Sequence, residues 1–181
     1  MVSLTDETLP TQEMFDFFEE RTAIHIKRVQ KNLQIVSNIY PMLGIQLEKV
    51  ATEHDKSKYG VNEFIPYVWL TWIKKPGNKN FQYNKDKIDK MTYDAWQSHI
   101  KDNPHHPEHH KNVNDMTFIN MIEMVCDWEA MSEEMGDDTM EWYNKNVPSR
   151  WKFNQNSQEI IKNIILQIKD YKDKKIDGYI G

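Results

Sequence analysis

Residues 116–131 read M-T-F-I-N-M-I-E-M-V-C-D-W-E-A-M, the most apolar run in the chain, and their reading decides the fold class. Asn114 or Asp115 can cap the N-terminus of this segment and Gly136 can close its C-terminus, so it reads as one core helix. One residue does not belong there on hydrophobic grounds. Asp127 falls on the face of Met124 and Met131, where an unpaired carboxylate costs several kcal/mol unless it meets a partner or a cation.

Toward the C-terminus a shorter helix holds Trp142 and Tyr143, and Asn156 opens N-S-Q-E, a capping box ahead of the amphipathic I-I-K-N-I-I-L-Q-I. Toward the N-terminus, N-P-H-H-P-E-H-H at 103–110 gathers four of the seven histidines. His105 and His109 are four apart, as are His106 and His110. Asn103 and His106 each precede a proline and are biased toward extended backbone, so no single helix carries all four imidazoles. Pro107 suits a first helical position, with His109 and His110 in the opening turn.

Farther upstream, Thr92 reads as the cap of a short helix ending near Lys101, and Lys74 to Met91 as a long charged loop. A third helix begins near Asn62, carries Pro66 in its first turns and ends before Pro76-Gly77. The second runs from about Leu43 to Asp55, with Leu47, Val50, Ala51 and His54 on one stripe. The first runs from Thr11 to about Asn38, with Phe18, His25, Val29 and Val36 on one face. Strand-like alternation is nearly absent. The expectation is an all-α chain, a single helical-bundle domain over residues 1–181 with no internal repeat.

Composition narrows the function classes. With 23 basic against 28 acidic residues the net charge of -5 argues against general nucleic-acid affinity, and the lysine-rich piece from Lys74 to Lys90 is diluted by Asp86 and Asp89. No apolar stretch approaches the roughly 18 residues of a membrane span. The lone Cys126 cannot form an internal disulfide and reads as a small buried residue, and no secretory leader is visible, so a cytoplasmic setting is expected. Homo-oligomers remain open. Trp69, Trp72, Trp96 and Trp128 read as core, as do Met116, Met121, Met124, Met131 and Met135.

Three helices each place an expensive polar group on an otherwise apolar face: His25, His54 with Asp55 beside it, and Asp127. Taken singly, His25 is a satisfied core histidine, Asp127 a partner for an arginine, and His54-Asp55 an ordinary helix end. Jointly they supply two nitrogen and two oxygen ligands. Glu123, one turn before Asp127, can orient a ligand histidine, handle a proton, or pair with a lysine.

The order His25, His54-Asp55, Asp127 resembles the HD superfamily of metal-dependent phosphohydrolases, with Lys58 three residues past the doublet as in the H-D-x-x-K form. The resemblance implies a helical fold with His25, His54, Asp55 and Asp127 as metal ligands and Lys58 on a substrate phosphate. A closer likeness covers H-D-K-S-K-Y, E-F-I-P-Y, A-W-Q-S-H, N-P-H-H-P-E-H, E-M-V-C-D-W-E-A and W-Y-N-K-N. It is to an uncharacterised HD-like family of bacterial and phage genomes, with no activity to carry over.

Such a donor set suits Mn, Fe, Co or Zn. One ion is expected. A second, as the resemblance to two-metal HD proteins implies, would draw on His99 and either His105 or His106; the clustered histidines otherwise bind phosphate, shuttle protons, or form an exposed loop without function. Lys58 and Arg28 would meet an anionic small molecule, most simply a nucleotide, with Lys58, Glu123 and His99 as catalytic candidates. The expected activity is hydrolysis of a phosphate ester. An HD-type di-iron oxygenase and a non-catalytic, metal-stabilised helical binding protein are the alternatives.

Overall fold

A computed structural model of the chain describes residues 8–176. Among them there is no strand. The helices are α1 (Gln12–Ile39), α2 (Gly44–Glu53), α3 (Phe64–Ile73), α4 (Lys85–Asp102), α5 (Phe118–Met135), α6 (Thr139–Arg150) and α7 (Gln155–Ile176), with single 3-10 turns in several connections. The protein is all-α, as its periodicities require. The chain divides into two compact units, the first comprising the described residues through Ile24 and Asp55–Asn103, the second His25–His54 and the residues from Pro104 onward. The divisions fall within α1, at the His54-Asp55 peptide and before Pro104.

In the first unit, Met14 and Phe18 of α1 pack with Val68, Trp69 and Trp72 of α3 and with Ile88, Met91 and Ala95 of α4. Each such burial contributes roughly 1.5–3 kcal/mol for a large side chain. Trp69 is also tied down by its indole N–H, which donates to the Thr8 carbonyl at 2.9 Å. The expected loop from Lys74 to Met91 is too long. α4 already begins at Lys85, capped by the Asn84 side chain, which accepts from the Lys87 N–H. The charges of K-D-K-I-D-K-M hide the stripe that makes this segment helical, because Ile88, Met91 and Ala95 are spaced three and four apart and all buried. Thr92 is therefore mid-helix, its hydroxyl donating back to the Ile88 carbonyl, and Trp96 stands 38% exposed beside Tyr93 instead of in the core.

The second unit is built on α5. Val29, Leu33 and Val36 of α1, Leu47 of α2, Ile122 and Val125 of α5, Tyr143 and Val147 of α6, and Ile161, Ile164, Ile165 and Ile168 of α7 form one apolar cluster. Cys126 is fully buried in it, with its thiol pushed up in pKa by that burial. Two caps differ from expectation. Thr117, not Asn114 or Asp115, accepts from the Asn120 N–H at the start of α5, while Asn114 bridges to the Lys152 carbonyl and the Asn154 N–H. Asn154, not Asn156, caps α7, accepting from the Ser157 N–H at 2.8 Å. Gly136 does close α5, in the left-handed conformation at φ 74°. Met116, Met121 and Met124 are buried, but Met131 is only half-buried and Met135 is 59% exposed on the last turn.

Candidate metal centre

α2 stops at Glu53, and His54 leaves it with extended ψ. Asp55 then adopts φ 57°, the one positive φ outside glycine among the described residues. Aspartate tolerates this left-handed conformation better than most residues, yet it still costs on the order of 1–3 kcal/mol. Strain of this kind gathers where a side chain must point in a particular direction.

In the second unit, three imidazoles and two carboxylates come together. α1 presents His25, the end of α2 presents His54, the proline-bracketed loop presents His105, and α5 presents Glu123 and Asp127 one turn apart. His25 Nε2 lies 3.1 Å from Asp127 Oδ1. Glu123 Oε1 lies 2.9 Å from His54 Nδ1 and 3.1 Å from His105 Nδ1. His105 Nε2 is 4.0 Å from Asp127 Oδ2, and the His54 and His105 ring centroids are 4.7 Å apart. His25, His54, His105 and Glu123 are all buried, and the Asp127 side chain keeps 17% exposure.

The electrostatics follow from these contacts. Burial alone would raise the Asp127 pKa, but its hydrogen bond with His25 and the nearby His25, His54 and His105 hold it far below the usual carboxylate range. Burial likewise opposes ionisation of Glu123, and the hydrogen bonds from His105 and His54 overcome it, leaving its pKa lowered. Both carboxylates are therefore anions. Imidazole nitrogens and carboxylate oxygens converging in a buried place can hold a metal ion, and His54, His105 and Glu123 alone already meet the spacing for one.

The first unit contains a second polar cluster of different character. His99 Nε2 lies 3.2 Å from Asp55 Oδ1, and His99 Nδ1 lies 2.9 Å from Glu63 Oε2. Ser57 donates to Glu63 at 2.9 Å, and the Asn103 amide donates to Ser57 at 2.9 Å. Lys58 forms an ion pair with Asp55 and stands 5.4 Å from the Tyr67 ring centre. Burial works against a charged His99, but the Asp55 and Glu63 hydrogen bonds outweigh it, and its pKa is raised.

Of the residues singled out from sequence, His25, His54, His105, Glu123 and Asp127 thus share one cluster, and Asp55, Lys58 and His99 share the other. Arg28 is 3.9 Å from carboxylate oxygens of both Glu133 and Glu134. The His106 ring lies tilted against His105 at 4.3 Å between centroids, and His110 Nε2 is 2.9 Å from the Pro104 carbonyl, which folds the loop back on itself. Glu63 and Asn103 escaped sequence reasoning. For Glu63 the available signal was a carboxylate set directly against the apolar run F-I-P-Y-V-W-L.

Residues 14–167 match the model of a family described as "Family of unknown function (DUF5662)". No curated protein and no solved structure matches the chain. Among the described residues, no helix is long and apolar enough to cross a membrane.

Proposed function

We propose, starting from a chain that belongs to the family of unknown function DUF5662, a divalent-metal-dependent phosphohydrolase of HD type acting on a small phosphate ester, most simply a nucleotide. The observation that carries this reading is the pairing of His25 with Asp127 beside the His54–Glu123–His105 group, all within the second unit. With the imidazoles neutral, as metal ligation requires, this set holds two negative charges and three nitrogen donors, a fit to Mn, Fe, Co or Zn. Sequence adds Asp55, one peptide bond beyond His54, as the further ligand of the HD pattern. A bound divalent ion would acidify a water molecule and polarise a phosphoryl oxygen.

The chain's own groups have distinct tasks in this scheme. Asp127 is an anion, its pKa held down against the cost of burial chiefly by the His25 hydrogen bond. Glu123, also held ionised, is better suited to orienting histidines than to donating a proton. His99, with its raised pKa, is the proton donor in the proposed set. Lys58 and Arg28 supply positive charge for the substrate. Each already lies against carboxylates, so a phosphate oxygen must compete with Asp55 for Lys58 and with Glu133 and Glu134 for Arg28.

Elemental analysis of the purified chain, followed by phosphate-release assays over nucleotides with added Mn, Co or Zn, tests the proposal. About one metal per chain is expected, with phosphate release lost in Asp127→Asn while circular dichroism stays unchanged. The number of donors in the second unit also favours a two-iron, dioxygen-consuming centre as the second reading. Two irons per chain with oxygen uptake and no phosphate release would establish it. Metal-dependent stability without turnover of either kind would leave a binding protein.

A further inference from the structure

His105 is an unusual residue to find buried. It sits in a polar loop between Pro104 and Pro107, yet only 2% of its surface is exposed. The loop is held by local contacts: the His109 N–H donates to the His106 carbonyl at 3.0 Å, and His110 reaches back to Pro104. These contacts fold the loop on itself, and the loop delivers this imidazole to Glu123.

A single oxygen, Glu123 Oε1, takes the Nδ1 atoms of both His54 and His105. An ionised carboxylate accepts and never donates, so each imidazole must carry its proton on Nδ1 to make these bonds. In the neutral ring that leaves the lone pair on Nε2, the atom that metal-binding histidines offer when a carboxylate holds the opposite nitrogen. For His105, Nε2 is also the atom that approaches Asp127.

We infer that Glu123 is a double clamp, a positioning residue that sets His54 and His105 in the same tautomer and so recruits His105, outside the four-residue HD pattern, as an Nε2 ligand of the cation held by Asp127. The inference rests on the metal reading above but on no step of hydrolysis. It separates His105 from the other loop histidines. His109 is exposed and has no place in the centre.

The test uses the metal-free full-length chain and cobalt(II) alone as probe, with chelator competition for affinity and visible absorption for the ligand field. Imidazole-nitrogen NMR of the metal-free protein reads the tautomers directly. In the wild type, His54 and His105 should both be protonated at Nδ1, and cadmium-loaded protein should show metal coupling at Nε2 of both. His105→Ala should weaken cobalt binding and change the visible spectrum. Glu123→Gln keeps an acceptor oxygen but loses the charge, so it should preserve stoichiometry and weaken binding by roughly 10- to 100-fold. His109→Ala should behave as wild type.

An Nε2–H tautomer at either histidine, or metal coupling at Nδ1, overturns the clamp. So does cobalt binding that is unchanged in both His105→Ala and Glu123→Gln. Absence of cobalt binding by the wild type overturns the metal reading and the clamp together. Binding with the expected tautomers, but no phosphate release from any ester, overturns the hydrolase proposal and leaves the clamp intact.

Discussion

The two buried polar clusters use the same residue types to opposite ends. In the first unit, Asp55 and Glu63 flank one imidazole, and Lys58 completes the group. With His99 protonated, two negative charges there meet two positive ones. In the second unit, two ionised carboxylates meet three imidazoles that must stay neutral to act as ligands. With imidazoles acting as neutral ligands, a bound divalent ion would balance the two carboxylate charges. Under the proposed function, charge arithmetic, more than the count of histidines, is what would set the two clusters apart.

The largest expected effect probes that charge balance. A ligand that binds only the folded chain stabilises it by RT ln(1 + [L]/Kd), about 4 kcal/mol at a free concentration roughly 1,000-fold above Kd. Thermal unfolding of metal-free protein with and without cobalt or zinc should show a gain of that order, and Asp127→Asn should abolish it. Calcium should give far less, because it prefers oxygen donors. A gain that survives in Asp127→Asn would put the cation elsewhere and break the comparison.

A smaller effect is expected from unbalancing the first cluster. Glu63→Gln removes one charge-assisted hydrogen bond to His99 and should cost about 1.5–3 kcal/mol in urea unfolding. The effect has a definite pH signature in the metal-free protein. The folded-state pKa of His99 lies above its ordinary value of 6.5, so its interactions stabilise the fold fully below that value and are lost as pH rises through the folded pKa. Wild-type stability should accordingly decline as pH rises above about 6.5 by more than that of Glu63→Gln. Parallel profiles for the two chains would mean that Glu63 does not hold the His99 proton.

The legible parts of the molecule are those where one short window carries the whole signal. The apolar run of α5 announces a core helix, and against that background Asp127 stands out, with Glu123 one turn before it. His25 was visible for the same reason, as an imidazole on the stripe of Phe18 and Val29. Glu63 was not, since its meaning depends on His99, 36 positions away, and that pairing exists only after folding. The start of α4 was hidden because six charged or turn-forming neighbours outweigh Ile88 and Met91 in any local count, although burial of those two decides the structure. The caps of α5 and α7 shifted by two or three residues because N-D-x-T and N-x-N each offer more than one competent side chain. Which one caps depends on what else the chain asks of its rival, as Asn114 shows by bridging to Lys152 and Asn154.

The smallest effect calibrates the others. Asp138 caps α6, accepting from the Glu141 N–H at 3.0 Å, and pairs with Lys169 at 2.6 Å on the surface of the second unit. The Lys169 hydrogen bond, followed by the Glu141 N–H, holds its pKa below the ordinary 3.8. Stability from this group is thus present above 3.8 and lost as pH falls through the lower folded value. Asp138→Ala should cost about 1 kcal/mol, nearly all of it the cap, since an exposed ion pair adds little and is screened by salt. Asp138→Asn, which keeps the capping oxygen, should recover most of the loss. Equilibrium urea unfolding at neutral pH, at low and at high salt, reads both. If Asp138→Ala costs as much as Glu63→Gln, burial is not what gives the inner clusters their weight, and the contrast between buried clusters and surface pairs loses its physical basis.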